Sequence, residues 1–82
     1  ARNLGPIRVN AICPGFIQGD WLKKGMGDDL YNAAKENLTS TTPLKLTVTP
    51  EQVAEGIYNF IEISKVVTGE TMLMDGGHHL IV

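Results

Sequence analysis

Side chains that could do chemistry are few in this chain of 82 residues. His78 and His79 are adjacent imidazoles, but they lack the spaced sets of ligands that metal sites use, so we expect a surface or interface position and no metal. Cys13 lies at the end of an apolar segment, where a thiol is expected to be buried and unreactive. It is the only cysteine, which excludes a disulfide within the chain.

The composition excludes several classes of protein. Hydrophobic residues make up 43% of the chain, charged residues 20%, and the formal net charge is -2, values typical of a globular protein. The seven Lys and Arg residues are scattered, so no basic stripe for nucleic acid is present. No apolar run approaches the roughly 20 residues that span a bilayer, and no signal peptide is recognisable. We expect a cytoplasmic protein without nucleic-acid or membrane partners.

Two short apolar segments that end in turn signals are predicted strands. The first covers residues 9–13 and stops at Pro14 and Gly15, and the second covers residues 70–75 and stops at a glycine pair. The first is apolar on both faces, which is typical of a parallel sheet covered on each side. Because a long helical stretch separates them, we predict a parallel pair joined by a right-handed crossover.

Two helices are predicted within this crossover. Asp28 is expected to cap the first, over about residues 29–38, and the hydroxyl-rich run 39–43 favours a loop. The run Thr49-Pro50-Glu51-Gln52 has the signature of a capping box and fixes the start of the second helix. The second helix also carries an apolar stripe that must be buried: Val53, Ile57, Phe60 and Ile61.

These elements predict an α/β fold that is incomplete by itself. Two strands leave one sheet face and both edges uncovered, so we expect further strands from outside these residues. Residues 1–4 read as the last turn of a helix that Gly5 and Pro6 stop. We therefore expect residues 1–82 to be the carboxyl-terminal portion of one larger domain.

Three motifs resemble the short-chain dehydrogenases/reductases, which are Rossmann-fold enzymes that use a nicotinamide dinucleotide. Residues 8–17 look like the sixth strand and Pro-Gly loop of that family. Residues 49–54 look like the start of its last long helix, and residues 68–77 are similar to its seventh strand and glycine pair. The resemblance implies the carboxyl-terminal fragment of a Rossmann-type doubly wound parallel sheet.

The resemblance implies hydride transfer between NAD or NADP and a carbonyl or alcohol substrate. The family's catalytic Tyr-x-x-x-Lys motif precedes the sixth strand, so no catalytic residue is expected here, and the isolated chain is expected to be inactive. Tyr31 and Lys35 have that spacing but follow the Pro-Gly loop, where such a pair is most simply a solvated helix face. The alternative is a non-catalytic binding or oligomerisation module derived from the same fold.

The resemblance also assigns cofactor-binding positions to this chain. Pro14, Gly15 and Ile17 match the family's segment whose backbone holds the nicotinamide carboxamide, at the carboxyl end of the sheet. A strand-ending turn without a ligand is the alternative. Gly19 stands where many members carry a Thr that contacts the cofactor, so we expect a difference in cofactor affinity or loop order.

The remaining expectations concern the substrate and the assembly. Residues 19–43 correspond to the family's substrate lid, in which an apolar wall would be formed by Trp21, Leu22 and Met26. Simple packing of these side chains onto the body is the equal alternative. Family members commonly form homodimers or homotetramers through the last helix and strand, so a symmetry mate is an expected partner besides the small-molecule carbonyl or alcohol.

Overall fold

The computed structural model describes residues 1–82 and has an α/β architecture. Its strands are β1 (Ala11–Pro14) and β2 (Thr71–Met74). The helices between them are α1 (Asp20–Met26), α2 (Asp28–Thr41) and α3 (Pro50–Tyr58). A π-helical turn (Asn59–Ile63) extends α3, and a 3-10 turn (His78–Leu80) follows β2. None of these helices has the length and apolar character needed to cross a membrane.

The two strands pair in parallel, as predicted. Ala11 lies beside Thr71 and Pro14 beside Met74. The amide of Gly15 continues the pairing past the end of β1 by donating to the carbonyl of Met74 at 3.0 Å. The α/β class, with two parallel strands and a helical crossover, is confirmed.

Only one face of this sheet is covered. Ile12 and Met74 lie on the half-buried face, against which α3 packs at Gly56. A Cβ atom on Gly56 would collide with the Met74 sulfur and lie 3.6 Å from Cδ1 of Ile12, so glycine permits the close approach. Cys13 points to the opposite, open face and is exposed. The prediction that this thiol is buried is therefore wrong. The apolar pattern of β1 is typical of a sheet covered on both faces, and this chain supplies a covering helix on one face only.

The start of α3 is confirmed in detail. Thr49 accepts a hydrogen bond from the amide of Gln52 at 3.2 Å, and the Gln52 side chain accepts one from the amide of Thr49 at 2.9 Å. This reciprocal pair satisfies two amides that the first turn of a helix otherwise leaves without partners.

The apolar stripe of α3 is only partly buried. Val53 and Phe60 are half-buried, whereas Ile57 and Ile61 are 45% and 56% exposed. The expectation that the whole stripe is buried is wrong for this chain. The contact between α3 and the sheet is centred on Gly56. Because the sheet has only two strands, it does not extend far enough to cover Ile57 and Ile61.

Arg8 stabilises the carboxyl end of this helix. The π-helical turn is closed by the amide of Ser64, which donates to the carbonyl of Asn59 at 2.7 Å. The guanidinium of Arg8 donates to the carbonyls of Phe60 at 2.7 Å, Ile61 at 3.1 Å and Ser64 at 3.1 Å. Arg8 thus supplies donors to carbonyl groups that a helix end leaves unpaired.

The crossover is more helical than predicted. Residues 20–26 form α1, a helix that was not among the two predicted, and α2 runs through Thr41 where a loop was expected from residue 39. The hydroxyls in this last turn do not compete with the helix, because Thr39 donates to the carbonyl of Lys35 at 2.7 Å and Thr41 donates to that of Asn37 at 2.8 Å.

Two helix-end predictions are also corrected. Gly27, with φ of 84°, precedes α2, and the side chain of Asp28 makes no capping hydrogen bond. Residues 1–4 form a turn, closed by the amide of Leu4 on the carbonyl of Ala1 at 3.2 Å, instead of the end of a helix. Four residues close too few hydrogen bonds to hold a helical segment by themselves.

Candidate cofactor-binding site

The candidate site is built around the loop after β1, here called the β1 loop (residues 15–19). It begins at Gly15, where a Cβ atom would lie 2.9 Å from Cβ and 3.1 Å from Cα of Asp75. The two strand ends therefore meet at van der Waals contact or closer, and only a residue without a side chain fits. The glycine at this position thus permits contact between the strand ends.

The middle of the β1 loop is held by the chain that returns before α3. Val48, which is 4% exposed, donates its amide to the carbonyl of Phe16 at 2.9 Å and accepts from the amide of Gln18 at 2.8 Å. The side chain of Gln18 also donates to the hydroxyl of the buried Thr47 at 2.8 Å. This short parallel bridge fixes the residues on either side of Ile17.

Ile17 itself keeps its backbone polar groups free. Neither its amide nor its carbonyl has a hydrogen-bond partner within the chain, although the residue is half-buried. One donor and one acceptor on the same residue complement a carboxamide, which has one carbonyl oxygen and one amino group. The residues present therefore fit the nicotinamide end of a dinucleotide.

The β1 loop ends at Gly19, which is held by Tyr31 of α2. The hydroxyl of Tyr31 accepts a hydrogen bond from the amide of Gly19 at 3.0 Å, and its ring centroid lies 5.2 Å from that of Phe16. Tyr31 is 6% exposed, so its assignment to a solvated helix face is wrong. The rejection of Tyr31 as a family-type catalytic residue rested on its position in the chain and is not affected.

The backbone conformation at position 19 favours glycine. Its φ of 144° lies in a region that residues with side chains rarely adopt, while no atom lies within 4 Å of the place a Cβ would occupy. A Thr would therefore find space at this position but would strain the backbone.

A groove of about 340 Å³ joins the candidate cofactor and lid residues. This volume falls within the range of about 300–1,000 Å³ that is usual for small-molecule sites. Of the positions singled out in the sequence, five line the groove: Gly15, Ile17, Gly19, Trp21 and Leu22. Pro14 and Met26 are not among the lining residues. The side chain of Trp21 is 86% exposed beside the groove.

A second, larger cavity of about 540 Å³ lies between β1 and the end of α3. Its lining is mostly aliphatic, and its one charged side chain, Arg8, is already bound to carbonyl groups. The other polar lining residue, Asn10, is also hydrogen-bonded within the chain, so this cavity is a packing surface without a free polar side chain.

Asp75 organises the turn after β2. Its carboxylate accepts hydrogen bonds from the amide of Gly77 at 3.0 Å and from the amide and imidazole of His79, both at 2.9 Å. Burial acts to raise the pKa of Asp75, but these hydrogen bonds, chiefly those from His79, hold that pKa below its ordinary value. No group of three or more His, Cys, Asp or Glu side chains is placed to hold a metal ion.

Sequence reasoning missed the residues that support the β1 loop. Tyr31, Thr47 and Val48 were not identified as part of the site. A usable signal for Val48 was the apolar, polar, apolar order of residues 46–48 just before the helix cap, which is typical of a short strand. For Tyr31, the only signal was an aromatic side chain in the first turn of a helix that follows a glycine-rich segment.

Comparison with known proteins places this arrangement in a family. A family model described as enoyl-(acyl carrier protein) reductase matches residues 1–79. The granaticin polyketide synthase putative ketoacyl reductase 2 of Streptomyces violaceoruber is 38% identical, over 99% of this chain and 31% of its own length. An enoyl-(acyl carrier protein) reductase (NADH) of Bacillus cereus is 36% identical, over 99% of this chain and 32% of its own length.

A solved structure agrees with these sequence matches. A crystal structure of a small-chain dehydrogenase in complex with NADPH superposes with a TM-score of 0.84 and 33% identity, covering 96% of this chain and 35% of the other. This likeness confirms the Rossmann-type fold class. The chain spans about a third of the length of the relatives it matches. It belongs to the short-chain dehydrogenase/reductase family.

Proposed function

We propose that this chain forms the carboxyl-terminal part of an NAD(P)-dependent oxidoreductase, which transfers a hydride between a nicotinamide cofactor and a carbonyl or alcohol substrate. The observation that carries the proposal is that Ile17, whose amide and carbonyl have no partner within the chain, lines a groove at the carboxyl end of a parallel strand. The relatives named above include a ketoacyl reductase and an NADH enoyl reductase, and the structural relative is in complex with NADPH. Both dinucleotides are compatible with these residues.

In this proposal the chain binds and orients the cofactor, and the bound nicotinamide supplies the hydride chemistry. The amide of Ile17 donates to the carboxamide oxygen, and its carbonyl accepts from the carboxamide amino group. Pro14 stiffens the end of β1, and Gly15 lets the two strand ends close beneath the loop. The acid and base of the reaction would be supplied by residues outside this chain, which is why the 82 residues alone are proposed to be inactive.

Residues 19–43 are proposed to form the lid over a small carbonyl or alcohol substrate. Gly19 and Gly27 flank α1, both have positive φ, and neither has an atom within 4 Å of a Cβ position, which gives the helix two points of rotation. Closure of α1 would bring Trp21 and Leu22 over the groove and exclude water.

A homodimer or homotetramer through α3 and β2 is proposed for the assembly. Ile57, Tyr58 and Ile61 on α3 are 45%, 57% and 56% exposed and offer apolar area. The same exposure, with the open sheet face, favours the second candidate function, a non-catalytic oligomerisation module.

Dinucleotide binding separates the two functions. The test uses the protein that contains these residues and measures the Kd for NADH and NADPH by fluorescence titration. Ile17→Pro removes one amide donor that has no partner within the chain, so we expect binding about 2- to 12-fold weaker. Ile17→Val keeps the backbone and is the matched control. Equal affinity of all three proteins would contradict the role of Ile17, and a wild type that binds neither dinucleotide would favour the oligomerisation module.

A further inference from the structure

We infer that Tyr31 is a positioning residue of the cofactor site, whose hydroxyl fixes the end of the β1 loop and with it the free backbone groups of Ile17. The inference rests on the proposed function and extends it to a residue on the lid side of the groove. Its basis is the contact between the Tyr31 hydroxyl and the amide of Gly19, at 3.0 Å.

Tyr31 connects to both ends of α1. Its hydroxyl accepts from the amide of Gly19, whereas the bond of 3.0 Å from its amide to the carbonyl of Gly27 is the backbone bond that closes the first turn of α2. These are the two glycines that flank α1. Tyr31 is 6% exposed and packs against the ring of Phe16, so its side chain is held in place beside the β1 loop.

The rest of the β1 loop has a different support. The bridge to Val48 holds Phe16 and Gln18 through the backbone, and nothing but Tyr31 holds the amide that follows. Ile17 lies two residues before Gly19. Removal of the hydroxyl leaves the Gly19 amide without a partner, so beyond the Val48 bridge the loop end keeps only the bond of 3.2 Å from the Lys23 amide to the Gly19 carbonyl. The Ile17 donor and acceptor, which lie between the bridge and this loosened end, are then less well ordered and bind the ligand more weakly.

The role is positioning and not catalytic. The hydroxyl is already paired with the Gly19 amide, the side chain is buried, and Tyr31 is not among the residues that line the groove. It acts on a bound cofactor only through the conformation of the β1 loop.

The test is Tyr31→Phe in the protein that contains this chain, because this change removes one oxygen and keeps the ring. We expect the Gly19 amide to exchange its hydrogen about tenfold faster, as the loss of one hydrogen bond implies, while the exchange of the Val48 amide is unchanged. We expect the Kd and KM for the dinucleotide to rise about threefold to tenfold, with kcat at saturating dinucleotide unchanged. Ser64→Ala is the control, since it also removes a hydroxyl, that hydroxyl has no hydrogen-bond partner in the chain, and Ser64 does not line the groove.

Each outcome decides a separate question. Unchanged Gly19 exchange in Tyr31→Phe would overturn the inference, and so would faster exchange with an unchanged Kd, which would make Tyr31 merely structural. If Tyr31→Phe does not fold, the wild-type protein still provides a test, because a Gly19 amide that exchanges as fast as the unpaired Ile17 amide contradicts the inference. A wild type that binds neither dinucleotide overturns the proposed function, while the exchange rates still report whether Tyr31 holds the loop.

Discussion

Replacement of Gly15 by Ala tests the contact between the two strand ends. The added methyl group would lie 2.9 Å from Cβ and 3.1 Å from Cα of Asp75, well inside the roughly 3.5–4.0 Å of an ordinary carbon contact. Because one of these atoms belongs to the backbone, the strands must separate, which also strains the bond of 3.0 Å from the Gly15 amide to Met74. Overpacking of this kind costs about 1–3 kcal/mol, and the reduced freedom of the unfolded chain returns about 0.4–1 kcal/mol.

The expected net effect of Gly15→Ala is a loss of about 1–2 kcal/mol in the free energy of unfolding, which urea denaturation followed by circular dichroism measures. With a slope of about 2 kcal/mol per molar urea, the midpoint should fall by about 0.5–1 M at constant slope. Gly25→Ala is the control, because it lies in α1 with no atom within 4 Å and should be neutral or slightly stabilising. Equal midpoints for Gly15→Ala and wild type would refute the close approach of the strand ends.

Three further predictions concern stability, each measured by the same urea titration. Arg8→Met should cost about 1.5–3 kcal/mol because carbonyl groups lose a charged donor, whereas Arg2→Met, at an exposed position without hydrogen bonds, should cost nothing. Thr49→Ala should cost about 1 kcal/mol through loss of the capping box, and equal stability would contradict that cap. Because the pKa of Asp75 is lowered in the folded protein, its ionised carboxylate adds to the free energy of unfolding. This contribution is fully present above the ordinary pKa of about 4 and is lost as the pH falls through the lower pKa of the folded state. The destabilisation caused by Asp75→Asn should therefore be greater near about pH 6 than near about pH 2. A destabilisation that is the same at both pH values would contradict the lowered pKa of Asp75.

The parts of the fold that sequence predicts here depend on neighbours along the chain. The capping box at Thr49 joins residues three apart, and the turns that end each strand depend on single Pro and Gly residues. Such features follow from the local conformational preferences of the residues. The parallel pairing is then favoured by the length of the crossover, because parallel strands need a long connection and two-residue hairpins join only antiparallel ones.

The parts that could not be predicted depend on distant partners. Arg8 binds carbonyl groups more than fifty residues away along the chain. Tyr31 is buried against Phe16, a contact that the periodicity of apolar residues in a helix does not predict. The hydroxyls of residues 39–41 serve a loop and a helix equally well, so the remaining structure decides between them. The proposed cofactor role of Ile17 was suggested by family resemblance, since unpaired backbone groups leave no signature in side-chain types.

The open face of the sheet makes the chain's only thiol a reporter of assembly. Cys13 stands on that face and is exposed, so a maleimide reagent should modify it readily whenever the face is bare. Any helix or partner that comes to rest there must shield the sulfur and slow its alkylation. The labelling rate at this single atom therefore measures how completely the sheet has been closed over, without any mutation being introduced.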